Sequence, residues 1–378
     1  MFKKFVQGSL WLFMGFLTTQ AHAQFTQLVV FGDSLSDNGN VFAATGMTTP
    51  PPPYFNGVFS NGPVWTDLLA EAWGIPQTNL AYGGGLSGIS TTGNGLDPTA
   101  GTLSVYGSSP LPGVLSQIQL YASQAGSADA GALYVVFVGG NDFFQLAQDP
   151  MVLGAFGASI GLDPFDPAFA TNLAGAILNL TLDNVTSTDA RLFLGGAVTI
   201  PSGAVPMLYN LGARNILVAN LPDLSLTPAV AAAEMAAPGT RANFLAVVEN
   251  YNTLLAARLE ILRQNFPDLN LIEYDAATAL RAVVADPASF GIENTTDSCI
   301  DTACFLNPAI DPNTYIFWDA IHPSGTINAI TATQIQAAAE ASLAPVVVDD
   351  VLVVREGSGS GGPLMLLALL GLLAYRRR

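Results

Sequence analysis

The sequence predicts an α/β fold built on an open, mostly parallel sheet, and three observations carry that reading. Continuous apolar runs bounded by Gly, Pro and Asp recur along the chain, the pattern of strands covered on both faces. Stretches of helical periodicity lie between them, and such alternation places functional residues at the carboxyl ends of the strands. The composition can fill a core: of 378 residues, half are hydrophobic and 11% charged, which excludes disorder, collagen, coiled coil and a disulfide-stapled miniprotein. No mid-chain linker or charge block divides the chain, so one large domain with terminal signals is expected.

In chain order, Gln27 to Phe31 reads as the first buried strand. Thr48 to Phe59, with four consecutive prolines from Pro50 to Pro53, is a Pro/Gly/aromatic loop long enough to wall a cleft. Pro63 to Ala72 is a short helix candidate, and Gly88 to Pro112 is a second excursion, without periodicity. Ala132 to Val138 is the next strand. Pro150 to Pro206 is rich in Ala and Gly, with helical pieces around Pro167 to Leu182 and a hairpin-like Arg191 to Ile200. Asn215 to Ala219 and Asn270 to Tyr274 are strands flanking the strongest helical pattern, Arg241 to Phe266, and Ser324 to Leu343 is the last helix.

The two ends read as addresses. Met1 to Ala23 combines Lys3 and Lys4, an apolar run from Ser9 to Leu17 and a small-residue site at Ala21-His22-Ala23, the three parts of a secretory signal. The competing reading, an uncleaved anchor, is disfavoured because the run falls short of the roughly 20 residues that span a bilayer. The mature protein is expected to begin near Gln24. At the other end, a Gly/Ser linker from Gly357 to Gly362 precedes an apolar run, Pro363 to Tyr375, and Arg376 to Arg378. That run is roughly 20 Å long as a helix, against a hydrocarbon core of about 30 Å. It looks like the C-terminal sorting tails that a membrane protease removes in Gram-negative bacteria; a plain membrane anchor is the alternative. The expected organisation is therefore a signal over residues 1–23, a domain over 24–345 and a linker with a sorting or anchor segment over 346–378.

Without its ends, the chain sets seven arginines and no lysine against 29 acidic residues. Such a surface repels phosphate backbones, so nucleic-acid binding is not expected. Export also bears on Cys299 and Cys304, the only two cysteines, which are expected to pair as a disulfide rather than remain free thiols or ligate a metal.

The chemistry concentrates at strand ends. The first strand runs into Gly32-Asp33-Ser34, where a serine can project Oγ into a cleft while its backbone N–H faces a bound oxyanion. The triplet alone is as often a turn or a helix cap. A serine hydroxyl needs a base, and imidazole suits the task. His22 would leave with the signal, so His322 is the one histidine of the mature chain, with Asp319 three residues before it to orient and stabilise it. Asn141, in Gly139-Gly140-Asn141-Asp142, ends another strand and can aim a side-chain amide at the same oxyanion. Asn79 to Gly85 offers glycines whose backbone N–H groups approach a ligand closely.

These four pieces in this order resemble the GDSL family of SGNH hydrolases. Phe31 to Asn40 (FGDSLSDNGN), Asn79 to Gly84, Gly139 to Asp142 and Asp319 to His322 match the four family blocks, with lesser matches at Phe59 to Trp65 and Asn220 to Pro228. The resemblance extends over Phe25 to Leu343 and implies a three-layer α/β/α, flavodoxin-like fold. Residue by residue, it implies Ser34 as nucleophile, His322 as base, Asp319 as its orienter, and an oxyanion hole of Ser34 N–H, Gly84 N–H and the Asn141 side chain. It implies a serine esterase or lipase on small-molecule or lipid esters, with no metal or organic cofactor. Sugar acetyl esters are the alternative substrate, and a non-catalytic surface protein on the same scaffold is the rival from another class. One departure is the Gly- and Pro-containing segment Asp183 to Val205, an insertion ahead of the Tyr209 to Arg214 stretch.

Overall fold

The computed structural model describes residues 25–85, 87, 112–148 and 203–343. The signal over 1–23, the loop over 88–111, the helical and hairpin pieces of 167–200 and the tail over 346–378 lie outside the described residues. One unit of the chain closes at Leu343.

Five strands form the sheet: β1 (Leu28–Gly32), β2 (Gln77–Asn79), β3 (Leu133–Phe137), β4 (Asn215–Ala219) and β5 (Asn270–Tyr274). All neighbours are parallel and the order is β2-β1-β3-β4-β5. Four of the five are the expected apolar runs, within one residue at each end. The fifth, β2, is the polar triplet Gln-Thr-Asn at a half-buried edge, which carries no apolar signal.

Alternate strand residues face opposite layers, as the pleat requires. Val29, Phe31, Tyr134, Val136, Ile216 and Val218 pack into one core with helices α3 (Val114–Ala125), α5 (Ala204–Leu211) and α7 (Thr240–Asn265). Leu28, Val30, Leu133, Val135, Leu217 and Ile272 pack into the other with α2 (Trp65–Trp73) and α10 (Gly325–Leu343). Helix α7 buries Phe244, Val248, Tyr251, Leu255, Leu259 and Leu262, a stripe at spacings of three and four that accounts for its strong periodicity. Two helix layers thus enclose the sheet, the α/β/α architecture expected.

The other described helices are α1 (Asn40–Ala44), α4 (Gly140–Gln148), α6 (Pro228–Ala236), α8 (Ala276–Ala285) and α9 (Ala303–Leu306). Helix α5 forms despite the insertion, because Pro206 falls in its first turn, where a missing N–H breaks no helical bond. Helix α6 opens on Thr227, whose hydroxyl caps Val230 N–H, with Pro228 at the first helical position. A second sheet pairs β6 (Asn294–Ser298) with β7 (Tyr315–Phe317) in parallel. β6 is polar and β7 has only three residues, so neither shows in the sequence.

The order of the main sheet places a topological switch between β1 and β3, whose crossovers leave on opposite sides. A crevice opens at such a point, outside the carboxyl ends of the strands. Gly32 ends β1 there against β3, so close that a Cβ would stand 2.5 Å from Phe137 O.

Candidate active site

Two sequence blocks build the crevice floor. After β1, the Asp37 carboxylate accepts from Gly39, Asn40 and Val41 N–H, opening α1, and from Gly83 N–H at 2.8 Å across the crevice. Asn40 Nδ2 donates to Asn79 O and Ala81 O, and Asn79 Nδ2 to Ser36 O at 2.7 Å. The Phe31 to Asn40 and Asn79 to Gly85 blocks are therefore one hydrogen-bonded unit, with Ser34 buried between them.

His322 reaches this unit from the loop between β7 and α10. Its Nε2 lies 2.8 Å from Ser34 Oγ and its Nδ1 2.6 Å from Asp319 Oδ2. An ionised carboxylate only accepts, so the imidazole proton belongs on Nδ1 and Nε2 is left to accept from Ser34. Asp319 Oδ1 receives His322 N–H and Ile321 N–H at 2.7 and 2.8 Å. Burial alone would raise the Asp319 carboxyl, but the charge of a protonated His322 and these hydrogen bonds outweigh it and hold the group down to about 2. Asp319 is thus a fixed anion at the far end of the relay.

The glycine cluster resolves into distinct roles. Gly83 N–H is bound to Asp37 and Gly85 N–H to Tyr82 O, whereas Gly84 N–H has no partner among the described residues. Gly84 also sits at φ +77°, a conformation costly for a side chain. Asn141, the second residue of α4 after β3, gives one amide hydrogen to Gly85 O at 3.0 Å and keeps the other. Ser34 N–H is likewise without a partner among the described residues. Among the described residues, the Ser34 and Gly84 N–H groups and the second Asn141 amide hydrogen therefore have no acceptor, and Ser34 and Asn141 line one cavity.

The histidine loop is held from three sides. Ser60 Oγ donates to Pro323 O, Asn61 Oδ1 accepts Gly325 N–H, and Asn328 Oδ1 accepts Trp65 N–H, so the Phe59 to Trp65 block clamps the chain after His322. Ala229 N–H donates to Ala320 O from α6, behind the Asn220 to Pro228 block. The third side is the pair Cys299–Cys304, which is disulfide-bonded and packs on Trp318.

Residue-type reasoning misses two neighbours. Tyr54 donates its phenol proton at 2.7 Å to the Asp319 oxygen that faces His322 Nδ1, and the Phe59 ring lies 5.0 Å from the imidazole. Both come from the 48–59 loop, whose length and aromatic content were its only signal. Asp33 and Asp142 are also buried beside the site, and burial pushes both carboxyls up to about 7.

The GDSL-like lipase/acylhydrolase family matches this chain over residues 28–335. The chain belongs to that family. Relatives agree: the phosphatidylcholine-sterol acyltransferase of Aeromonas hydrophila is 28% identical over 293 residues, 75% of this chain and 69% of the relative. The GDSL esterase/lipase APG of Arabidopsis thaliana is 26% identical over 353 residues, covering 82% and 90%. This GDSL protein is accordingly an acyl-ester hydrolase of the lipase/esterase type, and its four blocks converge on one crevice.

Proposed function

We propose that this GDSL enzyme is a secreted serine hydrolase that cleaves carboxylic esters, lipid acyl esters foremost, through an acyl-enzyme. The observation that carries the reading is the continuous relay from Ser34 Oγ through His322 to Asp319, with contacts of 2.8 and 2.6 Å. Ser34 Oγ adds to the ester carbonyl as its proton passes to His322 Nε2. The new oxyanion accepts from Ser34 N–H, Gly84 N–H and Asn141 Nδ2–H, each donor contributing about 10²–10³ in rate. Asp319 stabilises the imidazolium without itself taking the proton. Collapse expels the alcohol, which receives the Nε2 proton. Water then repeats the sequence, and the acid leaves as Ser34 regains its proton. An alcohol in place of that water would give acyl transfer, the reaction in the name of the Aeromonas relative.

In this reading residues 1–23 direct export, 24–345 form the hydrolase domain, and 346–378 are a linker with a sorting or anchor segment. The test of the chemistry is fluorophosphonate labelling of the purified protein beside Ser34→Ala, followed by peptide mass spectrometry and nitrophenyl ester assays. Label on Ser34, absent from the variant, and a loss of at least about 10³-fold in kcat are expected. Full activity in a folded Ser34→Ala protein would overturn Ser34 as the nucleophile, whereas a folded parent that neither labels nor turns over ester would bring the non-catalytic reading forward.

A further inference from the structure

A cavity of about 100 Å³ runs from Ser34 and Asn141 into the space between the sheet ends, β7, α8 and α10. Its deeper walls are apolar: Leu280 and Val283 from α8, Ile316 from β7, Ile327 and Ile330 from α10. None of these residues belongs to a sequence block, and none serves the relay. We infer that this cavity is the acyl-chain site and that it sets the chain length of the acid released, an inference that rests on the esterase reading above.

Three observations favour an alkyl guest over a sugar. The cavity is continuous with the nucleophile, so a chain carried by the carbonyl under attack can extend into its apolar depth. Several polar side chains in its wall are already bonded to protein: Tyr274 OH to Gln334 at 2.8 Å, Asp223 to Arg281 at 2.6 Å, and Asn328 to Trp65 N–H and Ser60. Asp33, at the mouth, is buried and drawn toward its neutral form. A water-sized group occupies about 10–15 Å³ on this measure, so the cavity holds roughly seven to ten of them. An acyl chain of about eight carbons fills it, whereas an acetyl group leaves most of it empty. Each methylene buried is worth up to about fourfold in kcat/KM.

The test is a nitrophenyl ester series from acetate to palmitate on the full chain, with Ala279→Trp to narrow the cavity wall and Leu280→Ala to widen it. Ala279 lines the cavity next to Leu280. In the parent, kcat/KM is expected to rise at least about a hundredfold from acetate to octanoate and to fall beyond about ten carbons. Ala279→Trp lowers the octanoate-to-acetate ratio at least tenfold, and Leu280→Ala moves the optimum to longer chains. Fluorophosphonate labelling of each variant reports whether its site is assembled. If Ala279→Trp does not label, the enlarging variant decides. A parent with equal kcat/KM for acetate and octanoate, or labelled variants with the parental profile, would overturn the acyl site while leaving the serine esterase standing. A parent that neither labels nor turns over any ester would overturn the esterase reading itself.

Discussion

Asp319 carries more donors than a two-residue relay requires. Besides His322 Nδ1, it receives two backbone N–H groups and the Tyr54 phenol, the last on the oxygen that holds the imidazole. Tyr54 is a positioning residue: it fixes the carboxylate plane against which the imidazole aligns. Removing one hydrogen bond to a charged group is worth about 1.5–3 kcal/mol where nothing replaces it. Tyr54→Phe is therefore expected to lower kcat about tenfold with KM little changed, measured on a soluble short-chain ester. Equal kcat in variant and parent would show that the phenol only fills space. Ser34, Asp319, His322 and Asn141 were legible in the sequence because their chemistry demands those residue types next to strand ends or to each other. Tyr54 was not, since it meets Asp319 across 265 positions and nothing in a Pro-rich loop announces that contact.

Among the elements, the loop from β7 to α10 bears His322, the proposed base, and its position depends on segments packed behind it. Cys299 N–H and Ile300 N–H donate to Phe317 O and Trp318 O, so the disulfide loop runs directly along the strand that delivers Asp319. Closing so short a loop restricts the unfolded chain by about 2 kcal/mol. Replacing both cysteines by serine is expected to lower the Tm by a few degrees, and reductant should reproduce the shift in the parent but not in the variant. Calorimetry with and without reductant reads both. An unchanged Tm would mean that the bridge restrains nothing. The long helix α7 and the buried strands β1, β3, β4 and β5 were readable from periodicity, whereas β2, β6 and β7 were not. β2 and β7 are three residues long and β6 is polar, and a polar triplet such as Gln77–Asn79 becomes a strand only because β1 offers it a partner.

Across the whole molecule, the switch point collects buried acids in a chain already rich in negative charge. Asp142 is fully enclosed and hydrogen-bonded by Ser87, and burial raises it to about 7, with Asp33 adding repulsion. A carboxyl whose folded pKa lies above its unfolded value binds its proton more tightly when folded. Its contribution to stability is therefore complete below about pH 4 and is lost as the pH rises to about 7. Asp319 has the opposite sign, contributing above about pH 4 and losing that contribution as the pH falls toward 2. Asp142→Asn is expected to flatten the decline of Tm between pH 4 and 8, followed by calorimetry; a decline as steep as the parent's would place the buried titration elsewhere. By itself the sequence determined the layered α/β architecture, the four blocks and the residues of the relay. These depend on local hydrophobic pattern and on reactive groups with few substitutes. Only the tertiary structure decided that Tyr54 joins the relay and that a cavity of ordinary Leu, Ile and Val side chains opens beneath Ser34. Such features arise where segments remote in sequence meet, and an apolar side chain carries no mark of whether it faces a core or a cavity.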